Sequence, residues 1–255
     1  VFLQNLTEVV RSLKRGALVY SLQRSVGEAY GSKTLLNTLD HLVSRVDSKK
    51  EPVRGGEVLQ VVRRRLFAEL GPEKHRQQVA KTYGLAHSAW LRSTADTDAD
   101  KKQAEQAGVA LAKRIERSYP FHPALLDLMY HRWGSLPSYQ RTRGALQFLA
   151  TVVGALHRSD AGGALIGPGD VPFDDPAVKQ AFFSQVGESG EWESVMATDL
   201  VGTTARACQV GAKVGLDAPK FRALKVGTRL ARALMAYSFG ASSGEKRGVT
   251  SQDLV

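Results

Sequence analysis

The stretch SYPFHPALLDLMYHRWGSLPSYQRTRGALQFLATVV, from Ser118 to Val153, combines two apolar helical patterns with a short polar link. Its first half repeats large apolar side chains every three or four residues, which predicts a helix that His122 and Pro123 open and Gly134 ends. The stripe consists of Leu125, Leu126, Met129 and Trp133. The second half has the same spacing and predicts a second helix. Its stripe consists of Leu146, Leu149, Ala150, Val153 and Leu156.

Two arginines, Arg141 and Arg143, fall in the first turn of the second predicted helix. Cations at a helix N-terminus oppose the helix dipole, at a cost of about 0.3–1 kcal/mol each. Free backbone amides together with guanidinium groups suit a bound anion. The alternative is that both arginines are solvated and their stems cover the neighbouring helix. The sequence leaves both interpretations open.

The segment YPFHPALLDLMYHRWGSLPSYQRTRGALQFLATVV, with RVDSKKEPVRGGEVLQVVRRRLF before it and PGDVPFDDPAV after it, resembles a family of large predicted AAA+ ATPases otherwise known only as a domain of unknown function. The resemblance runs from about Phe2 to about Tyr237. Genes of that family often lie beside those of DNA methyltransferases and helicases in phage-defence clusters. The resemblance implies ATP and Mg²⁺ as cofactors, both bound only together with an N-terminal part that carries the catalytic motifs.

The same resemblance implies roles for four residues. In AAA+ proteins an arginine at the start of a lid helix, the sensor 2 position, touches the nucleotide phosphates; Arg143 matches it best and Arg141 second. Ser21, at the polar end of the strand-like run ALVYSL, matches sensor 1. Arg45 follows the next predicted helix, where these proteins place an arginine finger, and is the one catalytic candidate. The alternatives are a strand that ends in polar residues and a salt-bridged surface arginine.

The stretch GEAYGSKT, Gly27 to Thr34, is close to a phosphate-binding loop but departs from it. That loop requires GxxxxGK[ST], with glycine directly before lysine so that the backbone can wrap the phosphates. Ser32 intervenes here, and no later strand ends in the acidic residue of a Walker B motif. The sequence therefore predicts that this chain alone does not hydrolyse ATP.

Composition limits the class of protein. The 255 residues are 43% hydrophobic, enough for a substantial core, and the formal net charge of +10 favours anionic partners. One cysteine, Cys208, excludes an internal disulfide and indicates a reducing compartment. The histidines show no zinc-ligand spacing, so no metal site is predicted. No apolar run of membrane-spanning length and no signal peptide are present, so we expect a cytoplasmic protein.

The expected fold is mainly α with a small α/β part: the C-terminal portion of an AAA+ core, then a helical lid, then a winged-helix-like or irregular helical region. The predicted domains are a remnant of the α/β core over residues 1–54, the lid over 55–160 and the accessory region over 161–255. Between Ser93 and Lys102, STADTDADKK predicts an exposed loop. Asp170, Asp174 and Asp175 suit turn and cap roles better than a metal site.

The last predicted helix, Lys220 to Tyr237, has two faces. Basic residues step along one side and could follow a nucleic-acid backbone, although a solvated face is the more common explanation for a basic helix without interleaved aromatic residues. They are Arg222, Lys225, Arg229 and Arg232. Apolar residues line the other side. They are Val226, Leu230, Leu234 and Tyr237.

The leading functional hypothesis is the sensor and lid portion of an AAA+ ATPase that couples ATP binding and hydrolysis to conformational change in DNA-directed phage defence or DNA modification. Its expected partners are the remainder of its own polypeptide, DNA and further copies of itself. The alternative is a non-catalytic basic adaptor that binds DNA or a protein partner.

Overall fold

The computed structural model describes residues 5, 6, 9, 10, 12, 13 and 15 and then residues 55–240, apart from 137, 140, 160–162, 188–189 and 218–223. The chain divides into two compact units, Val1–Arg54 and Gly55–Val255. In the first unit the described residues 5, 6, 9, 10 and 12 are helical, as the spacing of the N-terminal apolar residues predicts. The predicted strand ALVYSL, the stretch GEAYGSKT, Ser21 and Arg45 lie outside the described residues.

The second unit is helical. It contains α1 (Gly55–Leu66), α2 (Glu73–Ser93), α3 (Asp98–Ser118), α4 (Pro123–Asp127), α5 (Arg141–Arg158), α6 (Pro176–Val186), α7 (Gly190–Val195), α8 (Arg206–Asp217) and α9 (Val226–Tyr237). Two π-helical turns, Leu128–Arg132 and Met196–Leu200, continue α4 and α7, and 3₁₀ turns cover Trp133–Ser135 and Pro168–Asp170. The described residues form no strand; Phe121 and Ile166 make one isolated parallel bridge. The prediction of a mainly α protein is confirmed.

The main core is built around Trp133, which is fully buried. Its ring meets Phe148 of α5 and Phe182 of α6 edge-on, with ring centroids 5.3 Å apart in both pairs. Its indole N–H donates to the carbonyl of Ala236 in α9 at 3.0 Å. One residue of the predicted first stripe therefore ties together three later helices.

The core joins both sides of residue 160, where we expected a boundary between lid and accessory region. Phe148 lies before that position and Phe173 and Phe182 lie after it, and all three belong to one buried cluster. Within the described part of residues 161–240 the chain forms helices and turns, so this part has no β-hairpin wing.

The sequence-predicted starts of α4 and α6 agree with their capping. His122 is the N-cap of α4 and its imidazole accepts a hydrogen bond from the Ala124 amide, with Pro123 as the first helical residue. Asp175 is the N-cap of α6 and accepts from Ala177 and Val178. Burial lowers the pKa of His122 to about 4, so the ring is neutral near pH 7 and keeps its acceptor nitrogen.

The prediction of an exposed loop over STADTDADKK is partly wrong, because α3 begins within this stretch at Asp98. The Thr97 hydroxyl accepts from the Asp100 amide at 3.1 Å, and the Asp100 carboxylate accepts from the Thr97 amide at 3.1 Å. This reciprocal pair satisfies two backbone donors at the helix start, so Thr97 and Asp100 suffice to begin the helix without a large apolar residue beside them.

Candidate functional site

The candidate site is the N-terminal turn of α5. This 18-residue helix begins at Arg141, so Arg141 and Arg143 both lie in its first turn, as the sequence predicts. The turn contains no acidic residue. The Arg143 side chain is exposed, and it forms no ion pair with any other described residue. Two cations and the positive end of the helix dipole thus share one turn, an arrangement that attracts an anion.

The segment before α5 is fixed to α6. The Ser138 hydroxyl donates to the carbonyl of Gln185 at 2.8 Å. Gly187, which ends α6 with a φ of +77°, lies so close that a Cβ there would be 2.8 Å from the Ser138 hydroxyl oxygen. Only glycine therefore suits position 187, both for its left-handed backbone and for the space available. The start of α5 is held by the end of α6.

Three buried polar atoms close to this segment have no hydrogen-bond partner among the described residues: the hydroxyls of Tyr130 and Tyr139 and the side-chain oxygen of Gln185. Burial raises the pKa of Tyr130 to about 12 and raises the pKa of Tyr139 as well. Both phenols therefore remain protonated near pH 7.

The body of α5 belongs to the core. Ala145, Phe148, Leu149 and Val152 are almost completely buried, while Arg143 points to solvent from the same rigid helix. An 18-residue helix spans about 27 Å. The helix that carries Arg143 thus also carries Phe148, whose ring packs on Trp133 and Phe182.

The basic side of α9 looks different in the structure from its sequence pattern. Arg229 pairs with Asp170 at 3.0 Å, and Arg232 pairs with Asp174. Both bonds tie α9 to the segment between α5 and α6. Lys225 is exposed and has a left-handed φ of 48° directly before the helix. Arg222 lies outside the described residues, so the predicted nucleic-acid stripe stays a prediction.

The predicted apolar side of α9 is buried only in part, since Tyr237 packs against the core while the other three residues do not. Val226, Leu230 and Leu234 remain substantially exposed, whereas Ala233, Met235 and Ala236 are buried. The small residue Gly227 lets α8 approach closely, since a Cβ there would be 2.6 Å from the carbonyl oxygen of Ala207. The spacing of large apolar residues identifies a face of α9 but does not identify the face that packs.

A metal centre finds no support in the described part of the chain, where no three His, Cys, Asp or Glu side chains come together. Asp170 instead accepts from the Gly167 amide at 2.8 Å, and Asp175 pairs with Arg158 at 2.8 Å. These are the turn and cap roles that the sequence predicts. None of the described helices is long and apolar enough to cross a membrane.

Comparison with curated proteins and with solved structures gave no match. A protein-family model does match, over residues 53–240, and its description is DUF499 second domain. The match covers most of the chain and includes α1 to α9. The chain therefore belongs to the DUF499 family, and residues 53–240 are its second domain.

Proposed function

We propose that residues 55–240 act as the helical lid of an AAA+ ATPase, in which Arg143 contacts a nucleotide phosphate and α5 carries the resulting movement into the core. The observation that carries the proposal is the position of Arg143. It is an exposed arginine without an ion-pair partner among the described residues, in the first turn of a helix whose next turns are buried. A guanidinium at that place breaks no ion pair with a described residue when a phosphate binds, and it gains charge-assisted hydrogen bonds.

The coupling follows from the packing of α5. Phe148 and Leu149 lie one and a half turns after Arg143 and pack in the core that Trp133 organises. Because packed cores repack between discrete arrangements rather than deform continuously, a shift of α5 toward a phosphate would rotate the helices that contact it. The position of the lid would thereby depend on which nucleotide is bound.

ATP and Mg²⁺ belong to this proposal as ligands of the complete ATPase. The chain has no GxxxxGK[ST] loop and no Walker B acid, so those groups would come from another part of the same polypeptide. The description of the family model as a second domain supports such a division. The resemblance to ATPases of phage-defence clusters suggests DNA-directed defence or modification as the setting, and Ser21 and Arg45 remain candidates for sensor 1 and an arginine finger.

The test is ATP turnover by the polypeptide that carries the phosphate-binding loop. We expect Arg143→Ala to lower turnover at least tenfold, in line with the loss of one charge-assisted phosphate contact of about 1.5–3 kcal/mol. Its melting temperature should change by less than about 2 °C, since the side chain is exposed. Arg141→Ala tests the second choice.

Arg117→Ala is the matched control, because Arg117 is an exposed arginine on α3 without an ion pair to the described residues. It should leave turnover unchanged. Wild-type turnover in Arg143→Ala and reduced turnover in Arg141→Ala would move the role to Arg141. Wild-type turnover in both would remove the sensor proposal.

The second candidate function is a non-catalytic adaptor, and one observation favours a protein rather than DNA as its partner. Half of the large hydrophobic side chains that stay exposed in the described part of the chain lie on or beside α8 and α9. They are Val210, Val214, Leu224, Val226, Leu230 and Leu234. Two of the four predicted DNA-binding cations, Arg229 and Arg232, already pair with aspartates. Absence of ATP turnover in the complete polypeptide would favour this function.

A further inference from the structure

The hairpin of α2 and α3 has one packed face and one open face. On the packed side Val79, Ala80 and Ile115 are buried with Leu165 in a small cluster. On the open side a groove of about 680 Å³ runs between the two helices. Leu85 and Val109 line it and are 61% and 58% exposed. Two large apolar side chains thus point into a groove that nothing in the described structure fills.

The two helices are antiparallel and touch through their backbones at the centre of the groove. A Cβ on Gly84 would be 2.5 Å from the carbonyl oxygen of Gly108, and the reverse distance is also 2.5 Å. Arg92 near the end of α2 pairs with Glu105 near the start of α3 at 2.7 Å. Leu85 and Val109 each directly follow one of the crossing glycines, so both lie at the middle of the groove.

The exposed face of α3 carries charges that are antisymmetric about Val109. Four residues away on the two sides are Glu105 and Lys113, and seven residues away are Lys102 and Glu116. All five side chains are exposed. Spacings of four and seven residues place them along one face of a helix. The order along that face is therefore plus, minus, apolar, plus, minus.

We propose that this open face binds a second copy of the chain, related by a two-fold axis that passes between the two Val109 side chains, so that two hairpins form an antiparallel four-helix arrangement. In such a pairing each position lies opposite the position equally far on the other side of Val109. Lys113 then faces Glu105 of the second copy, and Lys102 faces its Glu116. The axis repeats both contacts, which gives four ion pairs between the copies.

The charge order favours a copy of itself over other occupants. A helix of another protein would need no antisymmetry in α3, and a parallel pairing would place Lys113 against Lys113 and Glu105 against Glu105. The ion pair between Arg92 and Glu105 does not block the new contact, because the Glu105 side chain is 58% exposed and a carboxylate accepts several hydrogen bonds.

The α2 side of the groove is compatible with the same axis. Around Leu85, the residues four positions away are Lys81 and Ala89, and seven away are Gln78 and Arg92. Each cation would therefore face an uncharged residue of the second copy. Leu85 would approach Leu85 of that copy, so the centre of the interface is apolar, with charged residues around it, as in protein interfaces generally.

The area of the open face determines how stable a dimer we expect. Two 21-residue helices side by side present a face about 30 Å long and about 20 Å wide. That is somewhat less than the roughly 800 Å² that each partner buries in an interface of standard size. We therefore expect a weak dimer whose fraction depends on protein concentration.

Sedimentation equilibrium of the 255-residue chain over a roughly hundredfold range of concentration measures this directly. Wild type should pass from monomer to dimer. Val109→Glu should weaken dimerisation at least tenfold, because two carboxylates would meet at the axis. Val195→Glu on α7 is the control: Val195 is also an exposed helical valine, it lies outside both the groove and the apolar surface of α8 and α9, and the variant should dimerise like wild type.

A charge exchange tests the register. Lys102→Glu and Glu116→Lys each turn two attractive pairs into repulsive ones and should each weaken the dimer by about three- to tenfold, whereas the double variant should regain wild-type affinity. Circular dichroism confirms that the variants fold. A wild-type chain that stays monomeric throughout, a Val109→Glu variant that dimerises normally, or a double variant no better than the single ones would each overturn the proposal. A monomer would leave the groove to a helix of another protein.

Discussion

Replacement of Trp133 by phenylalanine tests how the domain is held together. The change removes the 3.0 Å hydrogen bond to the Ala236 carbonyl, which lies in the last turn of α9. A buried acceptor left without its donor costs about 1–3 kcal/mol. The smaller ring also leaves a cavity of about 40 Å³, which at about 24 cal/mol per Å³ adds roughly 1 kcal/mol. The expected loss is therefore about 2–4 kcal/mol.

Thermal unfolding followed by circular dichroism measures this loss. For a domain of this size each kcal/mol lowers the melting temperature by about 2–4 °C, so Trp133→Phe should lower it by about 5–15 °C. Trp90→Phe is the control, because Trp90 is a partly exposed residue of α2 whose ring stacks on His87. It should cost less than about 1 kcal/mol. Equal shifts in the two variants would refute the view that Trp133 ties α9 to the core.

Three further predictions concern the hairpin, a helix cap and the chemistry of the chain. Gly108→Ala should lower the free energy of unfolding by about 1–3 kcal/mol, because its Cβ would meet the Gly84 carbonyl. Gly154→Ala should raise the free energy of unfolding by up to about 1 kcal/mol, because its Cβ would meet only the flexible Arg158 side chain at 3.4 Å. Urea denaturation compares the two variants, and two losses of equal size would contradict the close crossing of α2 and α3. Asp175→Ala should lower the free energy of unfolding by about 1–2 kcal/mol near pH 7. The pair with Arg158 and the hydrogen bonds from the Ala177 and Val178 amides hold the Asp175 pKa below its usual 3.8, so this stabilisation is complete above about pH 4 and declines as the pH falls further. A stability difference between wild type and variant that persists undiminished at pH 2 would contradict this prediction. The 255-residue chain should show no magnesium-dependent ATP turnover in a phosphate-release assay, and turnover that Lys33→Ala abolishes would instead identify GEAYGSKT as a working phosphate-binding loop.

Local signals in the sequence predict helix starts well. Proline after His122 and proline after Asp175 both mark the first residue of a helix, because a fixed φ and a missing amide hydrogen suit that position. The first-turn positions of Arg141 and Arg143 follow from the same kind of local pattern. Periodicity does not reveal the start of α3, because Thr97 and Asp100 form a capping box within a stretch that has no large apolar residue to mark it.

Non-local contacts explain what the sequence could not predict. The partners of Arg229 and Arg232 lie nearly sixty positions away, so a basic stripe that suggests nucleic acid also serves as a set of ion pairs to Asp170 and Asp174. Periodicity shows which residues share a face of α9 but not which face meets a neighbour. Here small side chains lie at the buried positions Ala233 and Ala236, and Gly227 allows α8 to approach closely.

The central claim is that a nucleotide phosphate at Arg143 acts on the core through α5. Hydrogen exchange in the complete polypeptide, with and without a non-hydrolysable ATP analogue at saturating concentration, tests it most directly. The claim predicts that bound nucleotide slows exchange in the first turns of α5, from residue 141 to about residue 149, and that Arg143→Ala abolishes this protection while Arg117→Ala retains it. Unchanged exchange in α5 while the nucleotide is bound would contradict the claim.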